Sequence, residues 1–215
     1  MKLDITRVRR AVIVAPHPDD EIIGAAGLIL ALKRHDARIR VVVVSDGAAS
    51  HPASRRWPPK RLVGARRRES LLALRRLGIP AGNVRFLGLP DGALPQHLPR
   101  CRQLVRRAVG PGQNLIVGPA ATDAHPDHRA VAMALGRGFG AARRLSYHVW
   151  PPRAGAIARG RRVSMRGGHA AKRSLLRLYR TQLGAITDDP TGFTIARHEL
   201  AAFAHPLETF VEVRR

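Results

Sequence analysis

The 215-residue sequence predicts an α/β fold, a mostly parallel sheet with helices on both faces in a three-layer sandwich. Two observations carry this expectation. Short apolar runs of strand length alternate with longer segments of helical length, and the alternation stays regular for about 120 residues. The clusters richest in histidine and aspartate follow directly on two of the apolar runs, where open parallel sheets place their ligand sites.

Taken in order, residues 11–15 (AVIVA) are continuously apolar and stop at Pro16, the pattern of a buried strand. Residues 22–34 suit a helix, and 39–45 (IRVVVVS) a second buried strand. A helix at 61–77, a strand at 84–87 and a helix at 96–109 follow, with Pro99 expected in that helix's first turn, where no backbone N–H is needed. Residues 115–117 give a fourth strand, 127–135 a helix, and 145–150 a fifth strand closed by Pro151 and Pro152. The Gly/Arg-rich stretch 153–168 reads as loop or ribbon. Residues 170–183 place Lys172, Leu175, Leu176, Tyr179 and Leu183 on one helical face, so this C-terminal helix is expected to pack on the body. Residues 50–59 (SHPASRRWPP) follow a strand end and read as a mobile loop. The layout is Rossmann-like, and residues 1–215 are expected to form a single domain.

Composition narrows the function. Hydrophobic residues at 45% and charged residues at 25% are ordinary for a globular protein. The longest near-apolar run, 22–32, is eleven residues and holds two glycines, whereas a bilayer span needs about 20 residues. No signal-peptide core follows the N-terminal arginines, and Cys101 stands alone. A reducing, cytoplasmic setting without disulfides is the expectation. The net charge is +23, and of 38 basic residues only four are lysine. Such a charge suits a polyanion, but aromatic residues are only 4%. A GC-rich codon bias produces the same arginine excess, so nucleic acid is not the expected partner.

Two motifs carry chemistry. Ala15-Pro16-His17-Pro18-Asp19-Asp20-Glu21 follows the first strand, and Asp123-Ala124-His125-Pro126-Asp127-His128 follows the fourth. Acids at a helix start can simply cap it. Two such loops on one sheet edge, however, can meet and offer nitrogen and carboxylate ligands, and three protein ligands with an open position is what a catalytic zinc requires.

These residues are similar to the signatures of the LmbE-like/PIG-L family of zinc-dependent N-acetylglucosaminide deacetylases, (A/P)HPDDE and HPDH, in the family's order. The resemblance extends to Arg66-Arg67-Arg68-Glu69, Leu77-Gly78, Leu89-Pro90-Asp91-Gly92, the stretch 147–150, and Lys172 with Tyr179 to Gln182, and so spans nearly the whole chain. It implies His17, Asp20 and His128 as ligands of Zn2+, with Asp19 as general base and His125 as donor to the oxyanion. It also implies that Arg66 and Asp91 touch substrate and that the products are acetate and a free amino sugar.

Each residue keeps a plainer alternative. Asp19 can orient a ligand, His125 can merely pack, Arg66 can sit on a solvated helix face, Asp91 can serve its Pro-Asp-Gly turn, and Glu21 reads as a brace. The expected substrate is a small amino-sugar conjugate, and the basic charge is compatible with an anionic one, phosphorylated, nucleotide-linked or lipid-linked. Two competing readings remain: the two-histidine, one-carboxylate set also suits Fe2+ in non-haem oxygenases, and an Arg-rich nucleic-acid module would bind without needing His17 or His128.

Overall fold

The computed structural model describes residues 1–136, 138–152 and 160–213. The chain begins β1 (Arg10–Ala15), α1 (Asp20–Arg34), β2 (Arg38–Ser45), α2 (Pro59–Arg76), β3 (Val84–Leu89), α3 (Leu98–Val109) and β4 (Leu115–Pro119). It continues through α4 (Pro126–Ala134), β5 (Arg143–Tyr147), β6 (Arg161–Ser164), α5 (Gly168–Leu176), α6 (Arg197–Phe203) and β7 (Leu207–Glu212). Among the described residues one seven-stranded sheet runs β3-β2-β1-β4-β5-β7-β6. The first five strands are parallel, and β7 joins antiparallel to both β5 and β6.

The alternation of strand side chains divides the core in two. Ala11, Ile13 and Ala15 of β1 face α1 and α5, packed with Val41, Val43 and Val117. Val12 and Val14 point the other way, with Val42, Val44 and Ile116, onto Cys101 and Val105 of α3 and Val131 of α4. Both faces of β1 and β4 are thus covered, which is why these strands read as continuous apolar runs.

The helix after β1 lies on one face and the helix after β4 on the other, although the two strands are adjacent partners. The connections diverge there and leave a crevice at the strands' C-terminal ends, the topological switch point of an open α/β sheet. Both motif loops open into that crevice.

Two expected elements end early. The fifth strand stops at Tyr147 rather than Trp150, because the amides of Val149 and Trp150 turn to the Asp123 carboxylate at 2.7 and 3.1 Å. The C-terminal helix stops at Leu176 rather than residue 183. Tyr179 leaves the helical conformation, and a short 3-10 turn, Arg180–Gln182, follows. Tyr179 sends its hydroxyl to Glu21 Oε1 at 2.7 Å and the Thr181 amide reaches Glu69 at 3.0 Å, so tertiary hydrogen bonds override the helical period. The face formed by Lys172, Leu175, Leu176 and Tyr179 is buried as expected. Residues 153–159 of the Gly/Arg-rich stretch lie outside the described residues; 161–164 form β6.

Segment 50–59, expected as a mobile loop, is tied to the C-terminal stretch. Asp188 and Asp189 accept from the amides of Arg56 and Ala53 at 2.8 and 2.9 Å, and Ser50 O accepts from Phe193 N at 2.6 Å. No described helix is long and apolar enough to cross a membrane.

Gly24 sets the distance between α1 and the sheet. A Cβ there would lie 2.3 Å from Tyr147 Cδ2, and the ring cannot retreat because its hydroxyl is pinned to Val14 O at 2.9 Å. Gly→Ala within a helix ordinarily stabilises by about 1 kcal/mol. At this position the clash reverses the sign: Gly24→Ala should destabilise by about 1–3 kcal/mol, read as a lower urea midpoint.

Candidate metal centre and catalytic cleft

The turn from β1 into α1 places His17 and Asp20 side by side. The Asp20 carboxylate accepts from His17 N at 2.9 Å, which closes the loop and aims both side chains into the crevice. From the β4 side, α4 begins at Pro126, so His128 projects inward from its first turn and is fully buried. Three atoms then meet: His17 Nδ1, His128 Nε2 and Asp20 Oδ2 lie 3.2 Å from one another on every edge.

That triangle tests the fit of a metal. Two neutral imidazoles facing each other beside one carboxylate oxygen bring three lone pairs together at these distances, which a cation at their centre would satisfy. Ligand atoms about 2.0–2.1 Å from a tetrahedral zinc are separated by about 3.3 Å. The donor set fits.

The surrounding carboxylates orient the ligands. His17 Nε2 lies 3.2 Å from Asp127 Oδ2 and 3.1 Å from Asp91 Oδ1, which places its proton on Nε2 and leaves the Nδ1 lone pair free. Asp127 also accepts from the amides of Gly92 and Leu94 at 2.8 and 3.0 Å. Asp123 Oδ1 sits 3.3 Å from His128 Nδ1, a close approach without an aligned hydrogen bond. His17, Asp91 and Asp127 form a second cluster of potential ligand atoms within 4.8 Å, but it gathers at the protonated edge of His17 and reads as the support of the first.

Electrostatics follow the same division. Burial opposes charge on His17, but its hydrogen bonds to Asp127, Asp20 and Asp91 outweigh it and raise its pKa well above the ordinary value. Burial likewise opposes charge on His128, and the Asp20 charge and Asp123 together push it up to about 9. The carboxylates around the site call for positive charge, which protons on the imidazoles supply when no cation does.

Asp19 stands apart from this set. It holds a backbone φ of 136°, rare for a side-chain-bearing residue, and its amide donates to Glu21 Oε2 at 3.0 Å. Its carboxylate faces the cleft and meets Arg66 Nη2 at 3.2 Å. Burial pushes its pKa up to about 8 against the pull of the Arg66 guanidinium, in the range suited to exchanging protons near neutrality. Strained backbone of this kind concentrates at functional sites. Glu21 is a brace, as expected: it is wholly buried and accepts from Ser70 Oγ and the Tyr179 hydroxyl.

His125 is half-buried, with its ring centroid 4.8 Å from that of His17 and 4.9 Å from that of His128. Its Nδ1 accepts from Asp127 N at 3.2 Å, so the ring proton sits on Nε2 as a free donor. Burial, with the charges of His17 and His128, lowers its pKa and keeps it neutral.

Arg66 is not on a solvated face; it is 2% exposed. Its guanidinium donates to Pro18 O at 2.8 Å and Gly47 O at 3.1 Å besides pairing with Asp19, so most of its fork is committed within the protein. Asp91 is committed too, to His17 and to Ala49 N at 3.0 Å. Hydrogen bonding with His17 and the Arg66 charge hold its carboxyl at about 2 despite burial. Both residues line the cleft.

The cleft has a volume of about 290 Å³. One wall carries His17, Asp19, Arg66 and His125; the other is formed by Ile23, Trp150, Phe193 and Ile195. Phe193 and Ile195 lie in an irregular segment without period, so no sequence pattern marks them. Asp123 and Asp127 had no expected role, although acids two residues either side of His125 are a legible hint of ligand support. Gln182 lies at the end of the segment expected as the C-terminal helix. Its carboxamide lines the cleft, and its buried Nε2 has no partner among the described residues.

Known proteins resemble this chain in sequence and in fold. The family model described as PIG-L, GlcNAc-PI de-N-acetylase, matches residues 12–137. The 2'-N-acetylparomamine deacetylase of Streptomyces fradiae is 31% identical over 138 residues, 57% of this chain and 49% of that protein, so the match spans about half of the relative's length. Among solved structures, N,N'-diacetylchitobiose deacetylase from Pyrococcus horikoshii has a TM-score of 0.67 at 18% identity, covering 96% of this chain and 84% of that one. The 4-carboxy-2-hydroxymuconate hydratase GalB from Pseudomonas putida KT2440 has a TM-score of 0.69 at 15% identity, covering 96% and 97%. At such identities the structural likeness is one of fold. The family match takes in β1, β4 and both histidine-bearing loops that meet at the crevice, and on that ground the chain belongs to the PIG-L (LmbE-like) family.

Proposed function

We propose that the protein is a zinc-dependent N-deacetylase that releases acetate from an N-acetylated amino sugar or its conjugate. The observation that carries this reading is the triangle of His17 Nδ1, His128 Nε2 and Asp20 Oδ2, with Asp19 and His125 facing the same cleft. The related S. fradiae protein is named for removal of an N-acetyl group, which supports the reaction class. A cleft of about 290 Å³ suits one hexosamine with a short acyl group.

His17, Asp20 and His128 would hold the ion, whose chemistry is to acidify a water and polarise the amide carbonyl. The residues' own parts follow from their placement. Asp19 Oδ accepts the proton of the attacking water, and Arg66 holds that carboxylate in place. His125 Nε2–H donates to the carbonyl oxygen as negative charge develops on it. Asp19 then returns its proton to the departing nitrogen, giving acetate and a free amine. Asp127 and Asp91 keep His17 in the tautomer that leaves Nδ1 open. The apolar wall of Trp150 and Phe193 offers a face for the sugar ring, and Gln182 Nε2 is the open donor for a substrate oxygen.

Four variants test this on the full chain. Asp19→Asn should lower kcat for acetate release by about 10²–10⁴ with metal retained, whereas His128→Ala should lose the metal, both read by acetate assay with metal analysis. Asp127→Asn should weaken metal affinity by about 10–100-fold, measured by chelator competition, because His17 loses one of its two orienting carboxylates. Gln182→Leu should raise KM by about 10-fold while changing kcat little, the loss of one hydrogen bond made in ground and transition state alike. Stoichiometric metal with no acetate from any N-acetylated amino sugar would overturn the proposed reaction, and absence of bound metal would overturn the site.

A further inference from the structure

The end of the sheet opposite the cleft carries a second concentration of chemistry. Parallel pairing sets Arg10, first in β1, beside Arg38, first in β2. Arg40 lies two residues further along the same strand, and therefore on the same sheet face. Arg85 of β3 pairs with Val42 and so lies on that face as well. Like charges directly across neighbouring strands are destabilising.

Among the described residues no counter-charge pairs with them. Among the described residues the side chains of Arg10 and Arg38 make no hydrogen bond or ion pair. Arg40 donates to Val109 O at 2.5 Å and Lys33 to Gly78 O at 3.1 Å, both to neutral carbonyls. The nearby exposed carboxylate of Asp36, in the turn between α1 and β2, pairs with none of them. Burial lowers the Arg40 pKa, and the neighbouring charges of Arg10 and Arg85 add to it. Basic residues in the last turn of a helix are explained by its dipole, and Lys33 is one. That account does not reach arginines at the starts of strands.

These groups also surround a space. A cleft of about 470 Å³ is lined by Arg10, Lys33, Arg38, Arg40, Asn83 and Gln113. It lies one strand length from the catalytic crevice, about 20 Å for the six residues of β1, so a ligand there leaves the crevice open.

We propose that this cleft binds an anion carrying a chain of two or more phosphates, held by Arg10, Arg38 and Arg40 with Lys33. Arginine's planar fork matches phosphate oxygens in pairs. A single phosphate brings about −2, half of what four cations offset, whereas a triphosphate brings about twice that. Among the described residues no aromatic side chain lines the cleft to stack a base, and Pro80 is the one exposed apolar residue of its lining, too little apolar surface to enter a membrane. The recognised chemistry is therefore the phosphate chain, free or on a nucleotide.

Titration calorimetry of the full chain at 0.15 M salt with sodium tripolyphosphate, ATP and orthophosphate tests it. Tripolyphosphate should bind one per chain and at least tenfold tighter than orthophosphate. ATP binding as tightly confines recognition to the phosphate chain, and ATP binding more tightly identifies the nucleotide; both support the site. The double variant Arg10→Gln/Arg38→Gln should lose at least tenfold in affinity, while Arg173→Gln/Arg177→Gln, which removes equal charge from exposed positions at α5, should stay within twofold. The first variant should keep a Tm at or above wild type, since it removes a like-charge contact, and unchanged acetate release. Equal weakening by both double variants, orthophosphate binding as tightly as tripolyphosphate, or capture of RNA or anionic vesicles without tripolyphosphate binding would each overturn the site.

Discussion

The structure depends on one electrostatic constraint, the burial of Asp20, Asp123 and Asp127 around His17 and His128 at the crevice between β1 and β4. Carboxylates without partners in such a place would neutralise or unfold the site. Here each has backbone amides, an imidazole or both, and His17 Nδ1, His128 Nε2 and Asp20 Oδ2 are left to converge on one point. The loops, the helix starts and the ring tautomers are arranged to serve that point. Asp127 joins the amides of Gly92 and Leu94 to His17, and Asp123 joins the amides of Val149 and Trp150 to the neighbourhood of His128. Three loops from different strands are thereby locked to one centre.

That same centre shapes the rest of the chain. The strand expected to run to Trp150 ends at Tyr147 because Asp123 takes the next amides. Helix α5 ends early because Tyr179 goes to Glu21, whose other oxygen supports the strained Asp19 backbone. Even the close approach of α1 to the sheet over Gly24 serves it, since α1 begins with Asp20. A hydratase and a deacetylase share this fold at similar TM-scores, so the architecture alone does not choose a reaction. The groups lining the cleft of this chain include a neutral imidazole, a carboxylate of raised pKa and a carboxamide.

Much of the fold was legible. The strands at 11–15, 39–45, 84–87 and 115–117 lie within the observed ones, and the four helices before residue 136 shift by only a few residues at their starts. These segments form the parallel core, where apolar runs and periodicity speak directly. The C-terminal third was read less well. There β6, β7 and α6 are short, half-exposed and held by pairing with distant strands, so no local pattern announces them. Arg66 illustrates the same limit within the site: its place among three consecutive arginines resembles a solvated helix face, yet it is buried against Asp19.

By itself the sequence determined the α/β class, the family signatures and the identity of the residues that converge, His17, Asp19, Asp20, His125 and His128. Those follow from residue type and spacing along one strand-loop-helix unit at a time. Only the tertiary structure decided that Asp91 and Asp127 share one edge of His17, that Arg66 steadies Asp19, that Gln182 and Phe193 reach the cleft, and that arginines of separate strands gather at the far edge. Each of these depends on which strand lies beside which and on the direction a side chain takes from it. Pairing order and register bring together residues as far apart in the chain as Gly27 and Glu208, separated by 181 positions, and no local spacing encodes them.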